Sequence, residues 1–210
     1  MNQVDEENPV FLEIDYPDKQ LNRLTTFFRF ITIIPALIIL GLLTSSTVMW
    51  EGDVWQWEWP SVPGYIFLAT ALLILFKQKY PKWWFNWNLN LARFVMRIGA
   101  YFALLTDEFP STDEEQAVNL QLHYPDVKKE LNRILPFFKW FLAIPHYVLL
   151  FFLNIAALMM IILAWFAILF TGRYPKALFD FVVGVYRWNL RVLAYAVLLV
   201  TDQYPPFSLS

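Results

Sequence analysis

Apolar and polar positions come in long blocks along this chain, and the blocks occur twice. A polar, acidic start (Met1 to Glu7) leads into an apolar run that begins near Phe27. A polar, tryptophan-rich break runs from Trp50 to Pro60, and a second apolar run follows. Further on, the apolar residues reach from Phe137 to Phe170 almost without interruption. One straight helix over that run would be about 50 Å long, against a hydrocarbon core of about 30 Å. The pattern therefore predicts paired legs: 27–49 with 63–77, and 137–153 with 156–171, the second pair turning near Asn154. Legs that short cross a thin bilayer or form a hairpin that stops short of crossing; full crossing is the expectation.

The blocks align residue by residue, and repeats are sought before finer structure. Tyr16-Pro17-Asp18, Leu21-Asn22-Arg23-Leu24, Phe27-Phe28-Arg29-Phe30 and Ile34-Pro35 match Tyr124-Pro125-Asp126, Leu131-Asn132-Arg133-Ile134, Phe137-Phe138-Lys139-Trp140 and Ile144-Pro145. Leu75-Phe76, Tyr80-Pro81-Lys82, Phe85, Arg93, Arg97 and Tyr101 match Leu169-Phe170, Tyr174-Pro175-Lys176, Phe179, Arg187, Arg191 and Tyr195. Thr106-Asp107-Glu108-Phe109-Pro110 matches Thr201-Asp202-Gln203-Tyr204-Pro205. The expected organisation is a polar tail over 1–10 and two modules, 11–111 and 112–210. The Trp50–Pro60 insertion marks a turn, since insertions are tolerated at tips and not inside helices.

A third helix follows each pair. Asn86, Asn90, Arg93, Arg97 and Tyr101 fall on one stripe at helical spacing, as do Asp180, Gly184, Arg187, Arg191 and Tyr195. A narrow basic and aromatic stripe on an apolar body is the pattern of a helix lying in the membrane interface. Cations near membrane ends set orientation. Lys19, Arg23 and Arg29 precede the first pair and Lys77, Lys79 and Lys82 follow it; Lys128, Lys129, Arg133 and Lys139 precede the second, and Arg173 and Lys176 follow. Both modules are thus expected to face the same way, with both termini cytoplasmic and the third helices not crossing.

Composition supports lipid as the solvent: 58% of residues are hydrophobic and only 16% charged, against about 45–50% and 25% in soluble domains. The net charge of −2 supplies no basic field for nucleic acid. The chain has no cysteine, which excludes disulfides, thiolate zinc sites and iron–sulfur clusters. The acidic start lacks the basic and apolar regions of a cleavable signal peptide, so the first apolar run is expected to act as an uncleaved anchor.

Candidate chemistry is sparse. Arginines four apart on a helix suit phosphate through bidentate contacts. Arg93/Arg97 and Arg187/Arg191, assisted by Arg23 and Arg133, are therefore the candidate lipid-phosphate residues, although anchoring alone also accounts for them. Trp50, Trp55, Trp57 and Trp59 are expected to form an interfacial aromatic belt. The Tyr-Pro pairs punctuate helix junctions, and Pro35 and Pro145 are expected to kink the first leg of each pair. Asp107 and Asp202 are explained by turn formation, and two histidines, His123 and His146, are weak support for a metal or haem. No Gly-rich phosphate loop, nucleophile elbow or HExxH motif is present, and no acid lies deep in an apolar run.

Ala164-Trp165-Phe166-Ala167-Ile168-Leu169-Phe170-Thr171-Gly172-Arg173-Tyr174-Pro175, Phe179-Asp180-Phe181-Val182-Val183-Gly184, Tyr186-Arg187-Trp188 and the ending Thr201-Asp202-Gln203-Tyr204-Pro205-Pro206-Phe207 resemble a bacterial membrane-protein family catalogued as domain of unknown function 4389. The first module resembles it more loosely, with Lys77-Gln78-Lys79 in place of Thr-Gly-Arg and Asn86 in place of Asp. The resemblance implies a bacterial membrane protein and supplies no activity. The expected fold is all-α and integral to the membrane, with two tandem repeats, each a transmembrane hairpin followed by an amphipathic interfacial helix. The expected place is the bacterial inner membrane, multi-pass. The expected function is a non-enzymatic accessory or scaffolding subunit that contacts lipid headgroups and packs against a larger membrane complex, with no cofactor, metal or nucleic acid. The alternatives are a small transporter or channel with its pathway between the repeats, and a lipid-modifying enzyme.

Overall fold

The computed structural model describes residues 9–17, 20–44, 48–51, 54–57, 62–112 and 114–209. It is mainly helical. The chain opens with strand β1 (Val10–Ile14), then the short helices α1 (Arg23–Phe27) and α2 (Arg29–Thr32), then α3 (Ile34–Leu43). Strands β2 (Val48–Glu51) and β3 (Val54–Trp57) form an antiparallel pair ahead of α4 (Val62–Lys77) and α5 (Lys82–Phe102). The second half runs through β4 (Val118–Leu122), α6 (Val127–Glu130), α7 (Pro136–Leu142), α8 (Ile144–Thr171) and α9 (Lys176–Leu193), which closes in a π turn over Ala194–Leu198.

Two expectations need correction. The turn at Asn154 does not form: α8 runs unbroken from Ile144 to Thr171, so the second module has no helical hairpin within 137–171. No Gly or Pro interrupts the stretch after Pro145, and the Asn154 amide exchanges hydrogen bonds with Asn189 on α9 at 3.1 and 3.3 Å. Its polar group is satisfied inside a helix, so no turn is needed. In the first module the insertion does sit between the legs, but the legs pack on different partners: α3 on α5, and α4 on the π turn after α9. The prolines also act differently. Pro35 and Pro145 occupy the first turn of α3 and α8, where the missing N–H is not needed. The breaks fall just before them, at Ile33 and Ala143.

The molecule has three layers. β1 and β4 pair antiparallel with Leu12 opposite Leu120, and their alternation buries Leu12, Ile14, Val118, Leu120 and Leu122 on one face. That face rests on α5 and α9. On their far side α9 packs along α8, and α5 packs on α3. α8 buries His146, Leu150, Ala157, Ala164 and Ile168, one stripe of its surface. The opposite side of α8 is apolar and uncovered, as Phe151 and Phe152 at 62% exposure and Phe170 at 78% illustrate. Two helices, Ile144–Thr171 and Lys176–Leu198, are long and apolar enough to cross a membrane.

α8 ends on Gly172 in the left-handed conformation, φ 74°, as helix C-caps commonly do. The corresponding junction after α4 places Gln78 there at φ 43°, where a Cβ costs about 1–2 kcal/mol. Gln78→Gly is expected to stabilise the chain by about 1 kcal/mol, read as a higher melting temperature in detergent. An unchanged or lower melting temperature refutes that account of the junction.

Candidate membrane-facing and charged site

The charged groups gather at two ends of the helix layer. At one end, Arg29 on α2 is 2% exposed and pairs with Asp107 at 2.7 Å. Its guanidinium lies 4.0 Å from the centre of the Tyr101 ring. Asp107 also accepts the Asn22 backbone N–H at 2.7 Å, while the Asn22 side chain caps α1 through Leu24 and Thr25. At the other end, Lys139 on α7 is fully buried and pairs with Asp202 at 2.8 Å. It donates to Thr201 O at 2.6 Å and sits 4.9 Å from the Tyr195 ring centre. Asp202 accepts the Asn132 N–H at 2.6 Å, and the Asn132 side chain receives Ile134 and Leu135. Each aspartate thus fixes the start of one helix to the end of another through a buried cation. One difference separates the ends: Arg29 Nε and Nη1 are buried without a hydrogen-bond partner, beside an apolar groove of about 340 Å³ lined by Phe30, Phe102, Leu158, Ile162 and Phe166.

Sequence reasoning assigned Asp107 and Asp202 to turns and overlooked Arg29 and Lys139 as a site. The available signal was a single cation inside an apolar run at aligned positions, which is costly unless paired.

The four stripe arginines are brought onto one face of α5 and α9, toward the strand layer and the chain ends. Arg93 Nε donates to Leu120 O at 2.9 Å, and Arg187 Nε to Leu12 O at 3.0 Å. Arg97 donates to Ser111 O at 2.8 Å, and Arg191 to Ser208 O. Each therefore spends at least one of its five donors on a backbone carbonyl, crossing between the halves of the chain in the first two cases. Arg23 and Arg133 differ. Both are exposed, their side chains make no hydrogen bond or ion pair among the described residues, and they stand beside the exposed apolar Leu24 and Ile134. The structure does not bring them next to the stripe arginines through any contact. Trp50, Trp55 and Trp57 belong to β2 and β3, and Trp59 lies outside the described residues.

Other crossings tie the halves together in matched pairs. Tyr16 OH donates to Tyr174 O at 2.5 Å and Tyr124 OH to Tyr80 O at 2.6 Å. Lys176 lies over the Tyr16 ring and Lys82 over Tyr124. Burial raises the Tyr80 and Tyr174 phenols above their ordinary value; Tyr80 OH donates to Leu198 O at 3.1 Å, and Tyr174 OH is buried without a hydrogen-bond partner. His146 accepts from Trp188 Nε1 at 3.0 Å and stacks on Phe207, and His123 bonds to Glu130 at 3.0 Å. Among the described residues no group of three or more His, Asp or Glu could hold a metal ion.

No curated protein and no solved structure matches the chain. Residues 135–208, which carry α7, α8, α9, Lys139, Arg187, Arg191 and Asp202, match the family model described as Domain of unknown function (DUF4389).

Proposed function

We propose that this chain is a non-enzymatic membrane protein of the bacterial inner membrane, built as two tandem copies of one module. It serves as an accessory or scaffolding subunit that contacts lipid headgroups and packs against a larger membrane complex. One observation carries the reading: α1–α3 and α7–α8 expose large apolar side chains along their length, with Phe30 at 64%, Leu42 at 76%, Phe141 at 71% and Phe170 at 78% exposure. A patch of that extent marks a membrane or partner contact. The duplication is supported by contacts that come in pairs at aligned positions, among them Arg29–Asp107 with Lys139–Asp202 and Arg93–Leu120 with Arg187–Leu12. The scaffolding role is supported by where the polar chemistry goes: the buried cations and stripe arginines hold the chain's own carboxylates and carbonyls. Arg23 and Arg133, exposed beside apolar side chains, are the residues best placed to meet headgroup phosphates.

The test is purification from native membranes in mild detergent after amine crosslinking, since Lys128, Lys129 and Lys176 are exposed. A recurrent membrane-protein partner is the expected result. A chain that leaves the membrane in alkaline carbonate sinks the membrane reading. A chain that stays in the membrane but crosslinks only to itself sinks the subunit reading.

A further inference from the structure

We propose that the chain lies in the cytoplasmic leaflet of the bilayer, with α8 and the α3–α4 legs flat in its hydrocarbon and no helix crossing. This rests on the membrane reading above and replaces the expectation of a multi-pass chain. The long helices all run between the same two ends. Gly172, after α8, accepts the Leu21 N–H at 2.9 Å beside the Arg29–Asp107 end. Tyr80, ahead of α5, donates to Leu198 O at 3.1 Å, beside the Lys139–Asp202 end. α8 therefore leads from the lysine end to the arginine end, α9 returns, and α5 runs in the same direction as α8.

The strand pair sits halfway. Arg93 and Arg187 lie in the middle of α5 and α9, and they hold Leu120 and Leu12, the pair at the centre of the strand register. Were the helices upright, β1 and β4 would stand at the middle of the bilayer. Glu13, Asn119 and Gln121 on their outer face are exposed, and a two-stranded sheet has open edges. Open edges do not occur in contact with lipid, because each unpaired backbone group costs several kcal/mol there. An acidic side chain at that depth adds about 2.5–3.5 kcal/mol. Lying flat removes these costs, since the strand layer then faces water.

Charge leads to the same geometry. Arg133, Lys77, Lys79 and Lys82 are exposed at one end of the helix layer, and Arg23, Arg173 and Lys176 at the other. Upright helices would put these groups on opposite faces of the membrane, against the cytoplasmic bias of Lys and Arg. Flat helices put all of them at headgroup level on one face. Dimensions fit as well. One leaflet's hydrocarbon, about 15 Å deep, accommodates a single helix layer about 10–12 Å thick. The 28 residues of α8 extend about 42 Å, too long for an upright crossing of about 30 Å without steep tilt.

The chain has no cysteine, so single probes are clean. Arg133→Cys, Arg173→Cys and Glu13→Cys are treated with a membrane-impermeant maleimide in spheroplasts and in inverted vesicles. All three are expected to label in inverted vesicles, with loss of labelling in spheroplasts. Labelling of Arg133→Cys and Arg173→Cys from opposite faces overturns the proposal. So does a Glu13→Cys that labels only after detergent is added. Each variant is first checked for retention in the carbonate-washed membrane. A chain released from that membrane as a soluble species fails the membrane reading itself, a different result from opposite-face labelling.

Discussion

Asp202→Ala is expected to destabilise the chain by about 3–5 kcal/mol, the cost of leaving a buried charge without its partner. Lys139 is fully buried, and after the change the Thr201 carbonyl and the Tyr195 ring remain to it, with no counter-charge. The loss reaches further, because Asp202 also holds the Asn132 N–H at the start of the segment that leads into α7. Lys139→Met should cost less: the remaining carboxylate is 20% exposed and keeps its backbone donor. The double variant should cost less than the two single changes together, by about 1–3 kcal/mol, as expected for groups in direct contact. Denaturant or thermal unfolding of the detergent-solubilised chain, followed by helix signal, measures all three. Additive losses would show that the pair is not coupled. The same cycle at Arg29 and Asp107 carries a further expectation. Arg29 already has two buried donors without partners, so replacing it should release part of that cost and leave a smaller net loss than at Lys139.

Much of this arrangement was legible in the chain, and the parts that were not share a cause. The doubled pattern located the aligned positions, and the charge pattern placed α5 and α9 as amphipathic helices on one face. What a linear reading could not supply was partner choice. The length of the apolar run 137–170 and the insertion at the aligned place in the first half suggest a turn at Asn154; only the spatial neighbour Asn189 shows that its amide is satisfied within a helix. The stripe arginines suggest phosphate along the chain; in the fold Arg93 and Arg187 hold strand carbonyls from the other half, and Arg97 and Arg191 hold carbonyls of their own half. Lys139 and Arg29 were read as flanking charges because their aspartates come 63 to 78 residues later. β1 and β4 were too short and too distant to predict as a pair, yet their alternation of buried and exposed positions is present in Val10–Ile14 and Val118–Leu122.

The exchange of contacts between halves also bears on stability. Arg187 holds a strand from the first half and Arg93 one from the second. Tyr16 and Tyr124 cross in the same way. Neither half therefore completes its own strand layer, and each supplies the strand held by one arginine of the other's stripe, while Arg97 and Arg191 hold carbonyls of their own half. That interlocking gives an α5–α9 layer whose polar face is filled by the chain itself.

Phe152→Asp combined with Met159→Asp should detach the exposed apolar face of α8 from the membrane. The two positions are seven residues apart on α8, on one side of the helix, at 62% and 56% exposure. Both are remote from the buried stripe of His146, Leu150, Ala157 and Ala164, so folding should be spared. An aspartate has too short a side chain to reach the interface, as a lysine or arginine does. Each costs about 2.5–3.5 kcal/mol when forced into hydrocarbon, and changes at separated sites add. The sum of about 5–7 kcal/mol rivals the burial of two to four large apolar side chains at about 1.5–3 kcal/mol each. The variant is expected to leave carbonate-washed membranes for the supernatant or an aggregate, while Gln121→Glu, on the water-facing strand layer, stays in the pellet. Retention of the double aspartate variant at the wild-type level would mean that α8 meets protein or water on that side. The apolar face would then belong to a partner and not to lipid.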